Sequence, residues 1–101
     1  MEKELPMETL DKYPIPLPGV VGRVVEHEAV LVLPDKGQVK VLNELGARIW
    51  ELANGNRPVR EIVQHICDEY AVDVNVAQAD TLEFLNDLEE KGVIRLSDQP
   101  G

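Results

Sequence analysis

Residues 38–53, QVKVLNELGARIWELA, change hydrophobic period part-way along, and the elements on either side have to accommodate that change. Up to Val41 the pattern alternates. Val39 and Val41 face one way and Gln38 and Lys40 the other, the two-residue period of a half-buried strand. From Leu42 onward, Leu42, Leu45, Ile49, Leu52 and Ala53 recur at three- and four-residue steps, which is one face of a helix. Asn43 stands at the switch, and its short side-chain oxygen can accept from the first free helical amides. A strand that runs straight into an amphipathic helix forms a corner on which earlier and later elements can bury their apolar faces.

Upstream lie two β-branched runs of strand length, Val20–Val25 and Glu28–Leu33. In the second, Ala29, Leu31 and Leu33 share one face, and Val30 and Val32 share the other. The PDKG that follows offers a proline for the first turn position and Gly37 for a positive φ, so a hairpin is expected there. The EHE connection after Val25 has no glycine and specifies its turn less well. The three runs are expected to form an antiparallel meander whose last strand, Gln38–Leu42, has one unpaired edge. Before them, residues 1–17 carry Pro6, Pro14 and Pro16 with little periodicity. They are expected to be a flexible, extended lead-in, with Met1–Lys12 mobile.

Downstream, the first helix is expected from about Glu44 to Ala53, stopping where Gly55 can take a left-handed conformation. Val59, Ile62, Val63, Ile66 and Tyr70 make the stripe of a second helix, with Pro58 in its first turn and Cys67 beside the stripe. Asn75 and Gln78 resemble a capping box opening a third helix that runs to about Lys91. Its core face is read as Val76, Ala79, Leu82, Leu85 and Leu88. Gly92 ends it, VIRL trails away extended, and residues 97–101 are a polar tail. The expected fold class is α+β: a winged-helix-like domain over residues 18–96, with a three-stranded antiparallel sheet followed by three α-helices.

No constellation for catalysis is present. Cys67 lies in a helix's apolar flank and reads as a small buried hydrophobe, with His65 on another helical face. His27 sits in a turn between two glutamates. GVVGR has two glycines but no following helix, so it is not a phosphate loop. No enzyme activity, cofactor or metal is expected. Net charge is −9, from 19 acidic and 10 basic residues. Phosphate binding draws on lysine and arginine, so nucleic acid is a poor partner for such a chain. The alternative of a winged-helix DNA-binding transcription regulator needs basic residues facing out from its second or third helix. The third helix offers Asp80, Glu83, Asp87, Glu89 and Glu90 against Lys91. No apolar run approaches the length of a membrane span, and MEKELPMETL lacks the apolar stretch of a signal peptide, so no membrane partner and a cytoplasmic location are expected.

Two features exceed a purely structural reading. Phe84 stands off the core stripe and, with Ala77, Thr81 and Leu88, makes a second partly apolar flank; Trp50 is likewise off its own stripe. The free edge of Gln38–Leu42 invites another strand. Either Gln38, Lys40 and Leu42, or Val39 and Val41, turn their amides to that edge.

Taken together, the residues resemble the PqqD-like family, the recognition elements of ribosomally made, modified peptides. The resemblance rests on Leu42-Asn43 before the first helix, the Ala47-x-Ile49-Trp50 register, Asn54-Gly55 and Glu61-Ile62. Tyr70 and the Asp80-x-x-x-Phe84-Leu85-x-x-Leu88 pattern complete it, over roughly residues 18–96. Pro58 departs from a common capping threonine, and Thr81 from a usual apolar residue. The resemblance implies a non-catalytic peptide chaperone of natural-product biosynthesis, PQQ biosynthesis being the pathway that names the family. Such a domain would bind the leader of a precursor peptide as an added strand and present it to a modifying enzyme, such as a radical-SAM protein or a leader protease. Mapped here, the implied peptide site is Gln38, Val39, Lys40, Val41 and Leu42 on the strand. On the third helix it is Ala77, Asp80, Thr81, Phe84, Asp87 and Leu88.

Overall fold

The change of period at Leu42 is a corner of the molecule. A computed structural model describes residues 7–26, 28–33 and 37–101. Its elements are a turn of 3-10 helix (Met7–Asp11), β1 (Tyr13–Pro16), β2 (Val21–Val25), β3 (Glu28–Leu33), β4 (Gln38–Leu42), α1 (Glu44–Leu52), α2 (Val59–Tyr70), α3 (Val74–Glu90) and β5 (Ile94–Ser97). β2, β3 and β4 form an antiparallel sheet in that order, and β1 pairs with β5 in a second, two-stranded sheet. The expected meander of three strands followed by three helices is therefore present. The PDKG turn spans residues 34–37 and lies outside the described residues apart from Gly37, which has φ 61°.

Cross-strand partners share a face. Val21, Val32 and Val39 form one row and Arg23, Val30 and Val41 the next, while Gly22, Leu31 and Lys40, then Val24, Ala29 and Leu42, lie on the opposite face. The second face is the inner one. There Ala29, Leu31, Leu33 and Leu42 are buried with Ala47, Ile49 and Leu52 of α1. Val59, Ile62, Val63 and Ile66 of α2 complete the core from below, as their spacing predicts. At the corner, Asn43 caps α1 as expected: its Oδ1 accepts from the Gly46 amide at 2.9 Å.

Three expectations are revised. Residues 1–6 of the lead-in lie outside the described residues, but its later part belongs to the fold: β1 pairs with β5 in register from Tyr13–Ser97 to Pro16–Ile94, and Thr9 and Pro14 are buried. A reason lies at α2, whose N-cap is Pro58, with no side-chain oxygen to offer. The Lys12 carbonyl accepts from the Val59 amide at 2.9 Å, so backbone from the lead-in satisfies a donor the helix cannot satisfy itself. The structured unit accordingly starts before residue 18. Second, α3 begins earlier, at an N-cap of Asp73 whose side chain accepts from Asn75.

Third, the core face of α3 is Ala77, Thr81, Leu85 and Leu88, not the stripe through Val76, Ala79 and Leu82. Val76 and Ala79 are exposed and Leu82 is half-buried. Both stripes end on Leu85 and Leu88. α2 and α3 pack against each other, and the face of α3 turned to the core is the one through Ala77, Thr81, Leu85 and Leu88.

Candidate functional site

β4 is an edge strand, with β3 on one side and no strand on the other among the described residues. Its register decides which amides are free. Val25 pairs with Glu28 across a two-residue connection, with Glu26 in the left-handed region at φ 58°. The pair closing such a hairpin is a hydrogen-bonded one, and hydrogen-bonded pairs then alternate. Glu28, Val30 and Val32 therefore bond to β2, and Ala29, Leu31 and Leu33 to β4. On β4 the partners of those three are Leu42, Lys40 and Gln38. Val39 and Val41 are left with their amides and carbonyls on the open edge.

Beside that edge runs α3. Lys40, on the inner face of β4, reaches across to Asp87 with Nζ to Oδ2 at 3.1 Å. Asp87 also accepts from Lys91 on the next turn. The Lys91 ammonium first, then Lys40, hold the Asp87 carboxyl below its ordinary range against the opposing effect of burial. The pair ties the edge strand to the helix face that carries Phe84.

Phe84 is half-buried and lies over Gly46 of α1, where an added Cβ would come within 3.1 Å of the ring's Cε1. Glycine is a poorer helix former than alanine, even in this first turn of α1. Here it admits the ring. A groove of about 430 Å³ opens at this point, lined by Asn43, Leu45, Gly46 and Ile49 on one side and Asp80, Glu83, Phe84 and Asp87 on the other, with Asn86 and Glu90 also contributing. Leu45, Ile49 and Phe84 supply apolar lining, and Asp80, Glu83, Asp87 and Glu90 make the rest strongly acidic.

Lys40 meets the groove through its ion pair with Asp87, and of the residues implied by resemblance on α3, Asp80, Phe84 and Asp87 line it. Ala77, Thr81 and Leu88 do not, because they are buried in the core beneath α3 and present nothing to the groove. Leu42 is buried as well, so β4 offers its backbone and Lys40 there rather than a full row of side chains. Asn43, Leu45 and Gly46 line the groove without having been expected at the site. The signal for Gly46 was legible, a glycine inside a helical stripe with no cap to make. Trp50, the other off-stripe aromatic, belongs to the core side: it packs over Gly22 of β2, where an added Cβ would collide with its indole. Among the described residues no group of histidine, cysteine and carboxylate side chains could hold a metal ion, and no helix is long and apolar enough to cross a membrane.

The family model for coenzyme PQQ synthesis protein D matches residues 28–94, which is most of the chain and both walls of the groove. The chain belongs to the PqqD family. Among solved structures it is similar to TbiB1 in complex with the TbiA(beta) leader peptide, with 32% identity and a TM-score of 0.75, covering 80% of this chain and 94% of that one. It is similar in fold to lasso peptide synthetase B1 complexed with its leader peptide, at 20% identity and a TM-score of 0.74, covering 82% and 98%. The solution structure of the PqqD portion of Methylobacterium extorquens PqqCD, described as a stand-alone recognition element, matches at 27% identity and a TM-score of 0.69, covering 88% and 99%. None of the curated proteins matches the chain.

Proposed function

We propose that this PqqD-family chain is a non-catalytic recognition element that captures the leader of a ribosomally made precursor peptide. The leader adds as a strand to β4, against α3, and is presented to a modifying enzyme such as a radical-SAM protein or a leader protease. The observation that carries this reading is the open edge of β4 at Val39 and Val41, tied by the Lys40–Asp87 ion pair to a groove that Phe84 helps to line. The 32% identity to a domain solved with a leader peptide supports it from outside the molecule.

The energetics need both parts of the site. Ordering six peptide residues costs roughly 6 to 12 kcal/mol of backbone entropy. Four or five ladder hydrogen bonds return only about 2 to 7 kcal/mol net. Two or three apolar side chains, at roughly 1.5 to 3 kcal/mol each, make up the difference. The edge fixes register and the apolar anchors supply affinity.

Titration calorimetry with the TbiA(beta) leader peptide tests the reading. One peptide is expected to bind per chain. Phe84→Ala is expected to weaken binding at least tenfold while unfolding stays cooperative, with a melting loss smaller than the roughly 3 to 5 kcal/mol of a fully buried phenylalanine. Unchanged affinity with a large melting loss would show that Phe84 serves only the core. Micromolar, salt-sensitive binding of duplex DNA would instead favour the regulator, although α3 faces out with Asp80 and Glu83.

A further inference from the structure

The outer face of the sheet is built from valine. Val21, Val25, Val30, Val32, Val39 and Val41 share it, with only Arg23 and Glu28 interrupting. Val39 and Val41 are 64% and 65% exposed. An antiparallel sheet with one solvated face normally alternates, with polar residues outside. Strand preference alone does not account for the choice, because threonine is also β-branched and enriched in strands, and it would leave this face polar.

The valines present an apolar patch on the order of 400 Å², within the range in which patches on monomers are often functional. That is about half of what each partner buries in a standard stable interface. A second copy is a poor occupant on that ground, and also on charge: each copy carries −9. The patch reaches the open edge of β4 at Val39 and Val41, and that end of it is where an added strand would meet it. In any strand added to β4, side chains alternate between the two faces. One phase turns inward, toward α3 and Phe84. The other phase lies on the outer face, directly beside Val39 and Val41.

We propose that the outer valine face is a second specificity surface for the leader, selecting peptides with aliphatic or β-branched residues at every second position, the phase turned away from Phe84. This rests on the strand-addition reading above. The leader is then read on both faces of the strand, and the groove alone does not define its sequence preference. Cross-strand pairs between such side chains have Cβ atoms about 4.5 to 5.5 Å apart, close enough to exclude water between them.

The test pairs two protein changes with two peptide changes. The double variant Val39→Thr/Val41→Thr keeps shape, strand preference and every backbone donor. Both sites are more than half exposed, so its melt should match the parent's. The probe is the TbiA(beta) leader peptide, whole and in two forms carrying alanine at every second residue, one form for each phase. The double threonine variant is expected to bind the whole peptide about three- to tenfold more weakly, the range two lost cross-strand apolar pairs give. That penalty should vanish with one alanine phase and persist with the other. Phe84→Ala should show the reverse coupling. If the threonine variant binds all three peptides like the parent while Phe84→Ala still weakens binding, the outer-face proposal is wrong and strand addition stands. If neither protein change alters affinity for a peptide that binds, strand addition itself fails. A parent dimer in sedimentation that the threonine variant dissociates, with affinity unchanged, would assign the face to self-association and overturn the proposal.

Discussion

Thr81 lies in the middle of α3 with no exposed surface, and its hydroxyl has no hydrogen-bond partner. An unpaired buried hydroxyl costs about 1 to 3 kcal/mol. Valine has the same shape and a similar helix preference, so Thr81→Val is expected to raise stability by about 1 kcal/mol without changing leader affinity, read from thermal melts and calorimetry. A loss of stability would mean that the hydroxyl is satisfied in solution. Resemblance alone placed Thr81 in the cleft, because its position beside Asp80 and Phe84 suggests a shared face. Helical geometry separates them: Thr81 aligns with Ala77 and Leu85, while Asp80, Phe84 and Asp87 lie on the neighbouring flank. Gly22 and Trp50 teach a similar lesson. Each is visible in the sequence, but nothing local connects two residues on different elements whose packing explains both.

The elements legible in the sequence are those whose hydrophobic period is clean. β3, β4, α1 and α2 show theirs, and the Asn43 cap was readable from its position alone. α3 was misread because two stripes compete along it and the more apolar one is not the one buried. β1 was not legible at all. Its prolines argue against a strand, and its partner β5 lies at the far end of the chain. Register within β4 could be narrowed to two alternatives from sequence, and the hairpin at Val25–Glu28 chooses between them. This gives a paired expectation for proline. Lys40 bonds to Leu31, so Lys40→Pro removes a native ladder bond and should melt well below the parent. Val41 turns its amide to the open edge, where proline is tolerated. Val41→Pro should therefore fold cooperatively, by circular dichroism, yet lose leader binding by calorimetry. Parent-like binding by a folded Val41→Pro would remove the strand edge from the site.

At the scale of the whole molecule, the fold turns one edge of a small sheet into a surface with two sides. Lys40 and Asp87 join that edge to α3, Gly46 lets Phe84 settle against α1, and the β1–β5 ribbon with the Lys12 carbonyl secures the start of α2. The acidic balance of the chain argues against a basic recognition helix, and this edge is the site proposed for the leader. Amide hydrogen exchange across the whole chain, with and without the TbiA(beta) leader peptide, tests strand addition most directly. In the free protein, Lys40 and Leu42 should be protected by β3 while Val39 and Val41 exchange quickly. Adding the peptide should slow Val39 and Val41 and leave the far edge at β2 unchanged. Fast exchange at Val39 and Val41 under a saturating concentration of bound peptide would contradict strand addition at β4.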